Sequence, residues 1–184
     1  MSRLILITGG SRSGKSAHAQ QMAESLPGPR GFLATCPVID GEMERRVEAH
    51  RQARLGKGWA TIEEPVAVAA AIRRASQLPV LLVDCLTLWV NNLMYEAERR
   101  GEALTEESIS GHCRELARAS REHGGTIIFV TNEVGMGIVP DNPCARHYRD
   151  LAGRANQDLA HECDQVVLVV CGQALTIKTN PPPI

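Results

Sequence analysis

The residues Gly9-Gly10-Ser11-Arg12-Ser13-Gly14-Lys15-Ser16 follow an apolar run at 4–7 and lead into a helical stretch at 16–26. A Gly-x-x-x-x-Gly-Lys-Ser turn between a strand and a helix constrains the fold more than any other feature of the chain. Its glycines let successive backbone N–H groups curl toward one point, and the helix that follows adds the positive end of its dipole. Such a concavity suits the phosphates of a nucleoside triphosphate. Lys15 is expected to reach the β- and γ-phosphates and the Ser16 hydroxyl to reach Mg2+. Gly9 through Ser16 are therefore expected to bind nucleotide, with the Lys15 ammonium facing solvent while the cradle is empty.

Further apolar runs at 80–83, 127–130 and 166–170 are rich in branched residues and lack polar alternation, as do strands covered on both faces of a parallel sheet. A weaker run at 31–35 and an edge segment at 174–178 extend the series. Helical stretches at 42–54, 66–76, 86–99, 106–122 and 146–162 fall between them. The alternation predicts an α/β P-loop fold, a mostly parallel sheet with helices on both faces. A chain of 184 residues is expected to form one nucleotide-binding domain, 1–184. Residues 179–184, with Pro181-Pro182-Pro183, are expected to be a loose tail. The loop at 132–144, with Gly135, Gly137, Pro140 and Pro143, follows a strand. It is therefore expected at the carboxyl edge of the sheet, where α/β folds place ligands.

Composition narrows the class. A formal net charge of −1 argues against a general nucleic-acid binder. The six cysteines form no Cys-x-x-Cys pair, so a structural zinc site is not expected. No segment approaches the ~20 apolar residues of a membrane span, and the first apolar run is too short for a signal peptide. A cytosolic enzyme without a membrane span is the expectation.

Two further sites carry chemistry. Asp84 ends the run Val80-Leu81-Leu82-Val83 and is placed to hold Mg2+ as the carboxylate partner of the cradle, a role that can coexist with capping the helix that follows. The stretch 42–54 sets Arg46, His50 and Arg54 four residues apart on one helix face. Three such groups in a row call for an anion, and a neutral imidazole among arginines is a good nucleophile toward phosphorus. His147, within Arg146-His147-Tyr148-Arg149-Asp150, is a comparable anion site. Spacing leaves His50 and His147 both open.

Three stretches are more specific than the cradle alone: residues 8–16, residues 131–140 (Thr131-Asn132-Glu133-Val134-Gly135-Met136-Gly137-Ile138-Val139-Pro140) and residues 145–154. Through them, and over nearly all of 4–178, the chain resembles the bifunctional adenosylcobinamide kinase / adenosylcobinamide-phosphate guanylyltransferases of cobalamin biosynthesis. The resemblance implies a P-loop sheet related to recombinase and helicase cores, assembled as a homotrimer. It implies phosphorylation of adenosylcobinamide by ATP or GTP, and then transfer of GMP from GTP to the phosphorylated corrinoid through a guanylylated histidine. His50 occupies the place of that histidine, and Ala49 stands where some relatives have a second one. The family's other nucleotide contacts fall on Ala34, Thr35, Cys36, Arg51, Gln52, Ala53, Arg54, Glu63 and Asp84. A P-loop kinase of another small metabolite, or a P-loop ATPase without a small acceptor, would leave residues 132–140 unexplained.

Overall fold

The computed structural model describes residues 2–36, 48, 52 and 54–179. Its elements run β1 (Arg3–Gly9), α1 (Lys15–Glu24), β2 (Arg30–Ala34), β3 (Trp59–Glu63), α2 (Val68–Arg74), β4 (Val80–Asp84), α3 (Leu86–Arg99), α4 (Glu106–Glu122), β5 (Thr126–Val130), a 3-10 turn (Val134–Met136), α5 (Pro143–Glu162), β6 (Gln165–Val170) and β7 (Gln173–Thr179). The strands form one seven-stranded sheet in the order β3-β2-β4-β5-β1-β6-β7. All pairings are parallel except β6 with β7. One strand, β5, therefore separates the strand that leads into the cradle from the strand that ends in Asp84.

Period-two alternation sends successive β1 side chains to opposite faces of the sheet. Leu4 and Leu6 join Leu81, Val83, Ile127 and Phe129 beneath α2, α3, α4 and α5. Ile5 and Ile7 join Val80, Leu82, Ile128 and Val130 with Ala19 and Ala23 of α1. Both faces are covered, so the central strands read as unbroken apolar runs.

Two elements differ from the sequence reading, each for a local reason. The strand β3 was not anticipated: it is an outer strand with Ala60, Thr61 and Glu63 exposed, so Trp59-Ala60-Thr61-Ile62-Glu63 shows no apolar run. Helix α5 begins at Pro143 rather than 146. The Asn142 side chain accepts from the Cys144 and Ala145 amides, and Pro143 occupies the first turn, where its missing N–H costs nothing. Helix α4 begins where expected because the Thr105 hydroxyl accepts from the Ser108 amide. Most of the helix expected at 42–54 lies outside the described residues, although Glu48, Gln52 and Arg54 are helical. Residues 180–184 of the expected tail also lie outside them.

At the amino edge of the sheet, Asp164 ties three elements together. Its Oδ2 accepts from the Leu4 amide at 2.8 Å, and both its oxygens accept from the Arg121 guanidinium at 2.8 and 2.9 Å. Burial alone would raise its pKa. The hydrogen bonds from Arg121 and Leu4 outweigh it and hold the carboxyl below its ordinary value. A depressed folded value means that this stabilisation is full above the unfolded value of about 3.9 and is lost as pH falls below it. Asp164→Asn should therefore cost roughly 1–2 kcal/mol near neutral pH in urea unfolding, a charged hydrogen bond discounted for partial exposure. The gap between the variant and the parent should close below about pH 4.

Candidate active site

The cradle is held open by backbone geometry. Gly9 closes β1 so near β6 that an added Cβ would lie 2.3 Å from the Val169 carbonyl oxygen. Gly14 adopts φ +94°, in the left-handed region that favours glycine, and α1 starts directly after it with no side-chain cap. The first-turn amides of α1 are thus left to a ligand. The turn between β6 and β7 props the loop from below, with the Gly172 amide donating to the Ser13 carbonyl at 2.8 Å. Ser13 Oγ is buried and has no hydrogen-bond partner among the described residues, a cost that a phosphate oxygen in the cradle would remove.

Lys15 does not face solvent as the sequence reading expected. It is 8 % exposed, and its Nζ donates to the Gly10 carbonyl at 3.1 Å, folding back into the loop. Burial lowers its pKa, opposed by attraction to Asp84 and Cys85. Lys15 and Asp84 therefore share one electrostatic environment across the intervening β5. Asp84 is not a helix cap: Cys85 is the N-cap of α3, with no side-chain hydrogen bond there. The carboxylate of Asp84 and the hydroxyl of Ser16 are hard oxygen donors of the type Mg2+ selects.

The carboxyl edge gathers the other expected contacts unevenly. Ala34 pairs with Glu63 on one side and with Asp84 on the other, so all three end adjacent strands. Thr35 is fully buried, and its hydroxyl donates to the Cys85 carbonyl at 2.7 Å and accepts from the Cys85 amide at 2.9 Å. Its contribution is to hold the Asp84-Cys85 backbone. Asn92 adds to this by donating to the Thr35 and Pro65 carbonyls. Cys36 directly follows Thr35. The Arg54 guanidinium is 5 % exposed and stacks 3.5 Å from the centre of the Phe32 ring, so Arg54 is packed against β2 rather than displayed on an open basic face. Gln52 donates to Glu48. Arg46, His50, Arg51 and Ala53 lie outside the described residues.

His147 and its neighbours are occupied elsewhere. His147 Nε2 is 2.8 Å from the Leu104 carbonyl. Arg146 donates to the Pro140 and Asp141 carbonyls, and Arg149 to that of Gly135. This basic turn of α5 braces the loop at 132–144 instead of forming an anion site. The loop stands at the carboxyl edge, as expected, because it leaves the end of β5.

A polar network there was not singled out from the sequence. Thr8 Oγ1 donates to Glu133 Oε1 at 2.6 Å, and the Glu133 amide donates to the Gly9 carbonyl at 3.2 Å. Asn156 of α5 accepts from Thr131 Oγ1 at 2.7 Å and donates to the Asn132 carbonyl at 3.0 Å and to Glu133 Oε1 at 3.4 Å. Asn132 reaches Thr87 Oγ1 at 3.0 Å, and Tyr148 donates to the Thr87 carbonyl. The clue in the sequence was Asn132-Glu133 directly after a strand. Its partners Thr8 and Asn156 are distant in the chain and meet only in the fold.

A glycine-lined cradle before a helix, a strand-end carboxylate two strands away and a largely parallel sheet define a P-loop nucleotide-binding protein with a recombinase-type core. A KaiC-like protein of Pyrococcus horikoshii shares this fold, with a TM-score of 0.53 at 19 % identity over 90 % of this chain and 70 % of that one. Residues 5–177 match the family described as cobinamide kinase / cobinamide phosphate guanyltransferase. The chain is 39 % identical to the bifunctional adenosylcobalamin biosynthesis protein CobP of Pseudomonas aeruginosa over 96 % of this chain and 98 % of that protein. It is 38 % identical to the corresponding CobU of Escherichia coli, over 95 % and 99 %. The chain belongs to the cobinamide kinase / cobinamide phosphate guanyltransferase family, and it is an enzyme that combines kinase and nucleotidyltransferase activity.

Because Asp84 caps no helix but offsets part of the cost of burying the Lys15 charge, Asp84→Asn should lower thermal stability less than it lowers turnover. Turnover in Mg2+ should fall roughly 10–100-fold, while nucleotide affinity, which rests mainly on backbone amides, changes far less. Parallel nucleotide titrations and steady-state rates measure the two effects separately.

Proposed function

We propose that this enzyme phosphorylates adenosylcobinamide with ATP or GTP and then transfers GMP from GTP to adenosylcobinamide phosphate through a covalent adduct on His50. The observation that carries this reading is the cradle at Gly9–Ser16, facing Asp84, in a chain that matches the family from residue 5 to 177. In the first step the terminal hydroxyl of the cobinamide side chain attacks the γ-phosphorus and the nucleoside diphosphate leaves. In the second, a His50 nitrogen attacks the α-phosphorus of GTP and pyrophosphate leaves. The corrinoid phosphate then takes the GMP from the histidine. Nucleophilic catalysis of this kind splits one difficult transfer into two easier ones.

Lys15 would neutralise the transferred phosphoryl group in the first step and the leaving group in the second. Ser16 and Asp84 would hold Mg2+, whose charge offsets that of the phosphates. Ala34, Thr35, Cys36, Arg51, Gln52, Ala53, Arg54 and Glu63 complete the proposed nucleotide environment, with Thr35 and Arg54 acting from buried positions. The assignment of the nucleophile rests on the resemblance and is favoured by the engagement of His147 with a backbone carbonyl. The same resemblance supports a homotrimer, which sedimentation measures directly.

His50→Ala should abolish guanylylation of the protein and GMP transfer while cobinamide phosphorylation remains measurable. Only the α-phosphorus step requires a protein nucleophile. Mass spectrometry after incubation with GTP and Mg2+ should find one GMP on the parent and none on the variant. The adduct should be acid-labile and alkali-stable, as a phosphorus–nitrogen bond is. Labelling that survives in His50→Ala and is lost in His147→Ala would transfer the role to His147.

A further inference from the structure

We infer that Glu133 accepts the proton of the attacking hydroxyl in the phosphoryl-transfer step, and that Thr8 and Asn156 are the positioning residues that aim its carboxylate. This rests on the kinase reading above and names a group for it that the cradle itself lacks. A hydroxyl attacking phosphorus must lose its proton, and the group receiving it must sit within hydrogen-bond reach of the phosphate end of the cradle.

Placement along the sheet edge separates the candidates. Adjacent strands lie about 4.8 Å apart, so the backbone of Glu63, ending β3 four strands from β1, is about 19 Å away, and Asp84, two strands away, is engaged as a Mg2+ ligand in the reading above. Glu133 follows β5, the strand next to β1, and its own amide is bonded to the carbonyl of Gly9, the first residue of the cradle. It is the carboxylate sewn to the phosphate loop.

Its hydrogen bonding suits a base. Oε1 is fixed by the buried Thr8 hydroxyl at 2.6 Å and by Asn156 Nδ2 at 3.4 Å. Asn156 cannot turn away without breaking its bonds to Thr131 and to the Asn132 carbonyl. Both donors act on the same oxygen and both are neutral. Glu133 makes no ion pair with any lysine or arginine among the described residues. Oε2 is left to take a proton. In the step itself, the acceptor oxygen forms its bond to the γ-phosphorus and the bond from that phosphorus to the β,γ-bridging oxygen breaks. The bridging oxygen keeps the electron pair, and the hydroxyl proton passes to Oε2 and then to solvent.

The test uses Glu133→Gln in the full chain, assayed with adenosylcobinamide, ATP and Mg2+, beside GMP labelling from GTP. Kinase kcat should fall roughly 10²–10⁴-fold with nucleotide KM within about threefold, and the acid limb of the kcat–pH profile should disappear. GMP labelling should persist within a few fold, since that step uses another nucleophile. Glu133→Asp, which keeps the acid but shortens its reach, should recover part of kcat together with the acid limb, and it serves equally if the glutamine variant folds poorly. Asn156→Ala should lower kcat about tenfold without removing the acid limb. The inference is overturned if Glu133→Gln keeps kinase kcat within threefold. It is also overturned if kinase activity and labelling fall in parallel with a raised nucleotide KM, which would make Glu133 a support of the cradle only. A parent enzyme that forms no corrinoid phosphate would overturn the kinase reading itself, a result distinct from either.

Discussion

The approach of Gly9 to β6 is the constraint on which the site depends. The end of β1 runs so close to the Val169 carbonyl that no side chain fits at position 9, and only a residue without Cβ lets the chain turn out of the sheet there. From that point the loop is tied on two sides. The Gly172 amide fixes Ser13 from the β6–β7 turn, and the Glu133 amide fixes Gly9 from β5. A phosphate loop must present several amides to one anion without collapsing onto its own carbonyls. Here its neighbours carry part of that load, while the Ser13 amide donates to the Gly10 carbonyl at 3.3 Å within the loop itself.

Charge is arranged by the same proximity. The Lys15 ammonium turns inward to the Gly10 carbonyl, a weaker partner than an anion, and burial works against its charge. Asp84 offsets part of that cost from across β5. A triphosphate would replace one neutral acceptor with several anionic ones in a partly buried setting, where charge-assisted bonds are roughly twice as strong as neutral ones. The cradle is thus unsatisfied in the two places a nucleotide would satisfy, Lys15 and the buried Ser13 hydroxyl.

What could be read from the sequence was what depends on neighbours in the chain. The central strands declared themselves because burial on both faces removes polar alternation, and the cradle because its chemistry is contiguous. The strand β3 escaped because an edge strand needs no apolar run. The start of α5 escaped because Pro143 reads as a breaker until Asn142 is seen to cap it. Arg54 looked like part of a basic surface, since nothing local reveals that Phe32, on a distant strand, offers it a ring. Asp84 was ambiguous between metal ligand and cap until Cys85 proved to hold the cap position. Glu133 went unassigned for the same reason as Arg54: the residues that orient it are Thr8 and Asn156, more than a hundred positions before it and more than twenty after.

The described edge also explains why two transfers would need two kinds of residue. Phosphoryl transfer to a substrate hydroxyl requires stabilised charge and a proton acceptor, and Lys15, Asp84 and Glu133 are fixed beside the cradle. Guanylyl transfer through the protein requires a nucleophile, and the groups nearest Asp84 are poorly suited to that work. The thiol of Cys85 is pushed up to about 11 by burial, with Asp84 acting in the same direction, so it stays protonated near neutral pH. The Thr35 hydroxyl is committed as both donor and acceptor to the Cys85 backbone. Activating either would mean dismantling the bonds that hold Asp84 in place. A histidine, as proposed above, would avoid that conflict, because a neutral imidazole is nucleophilic without prior deprotonation. On the proposed mechanism the kinase step would fall to the strand edge and the guanylyl step to a histidine, a division in keeping with what the edge residues are already bound to.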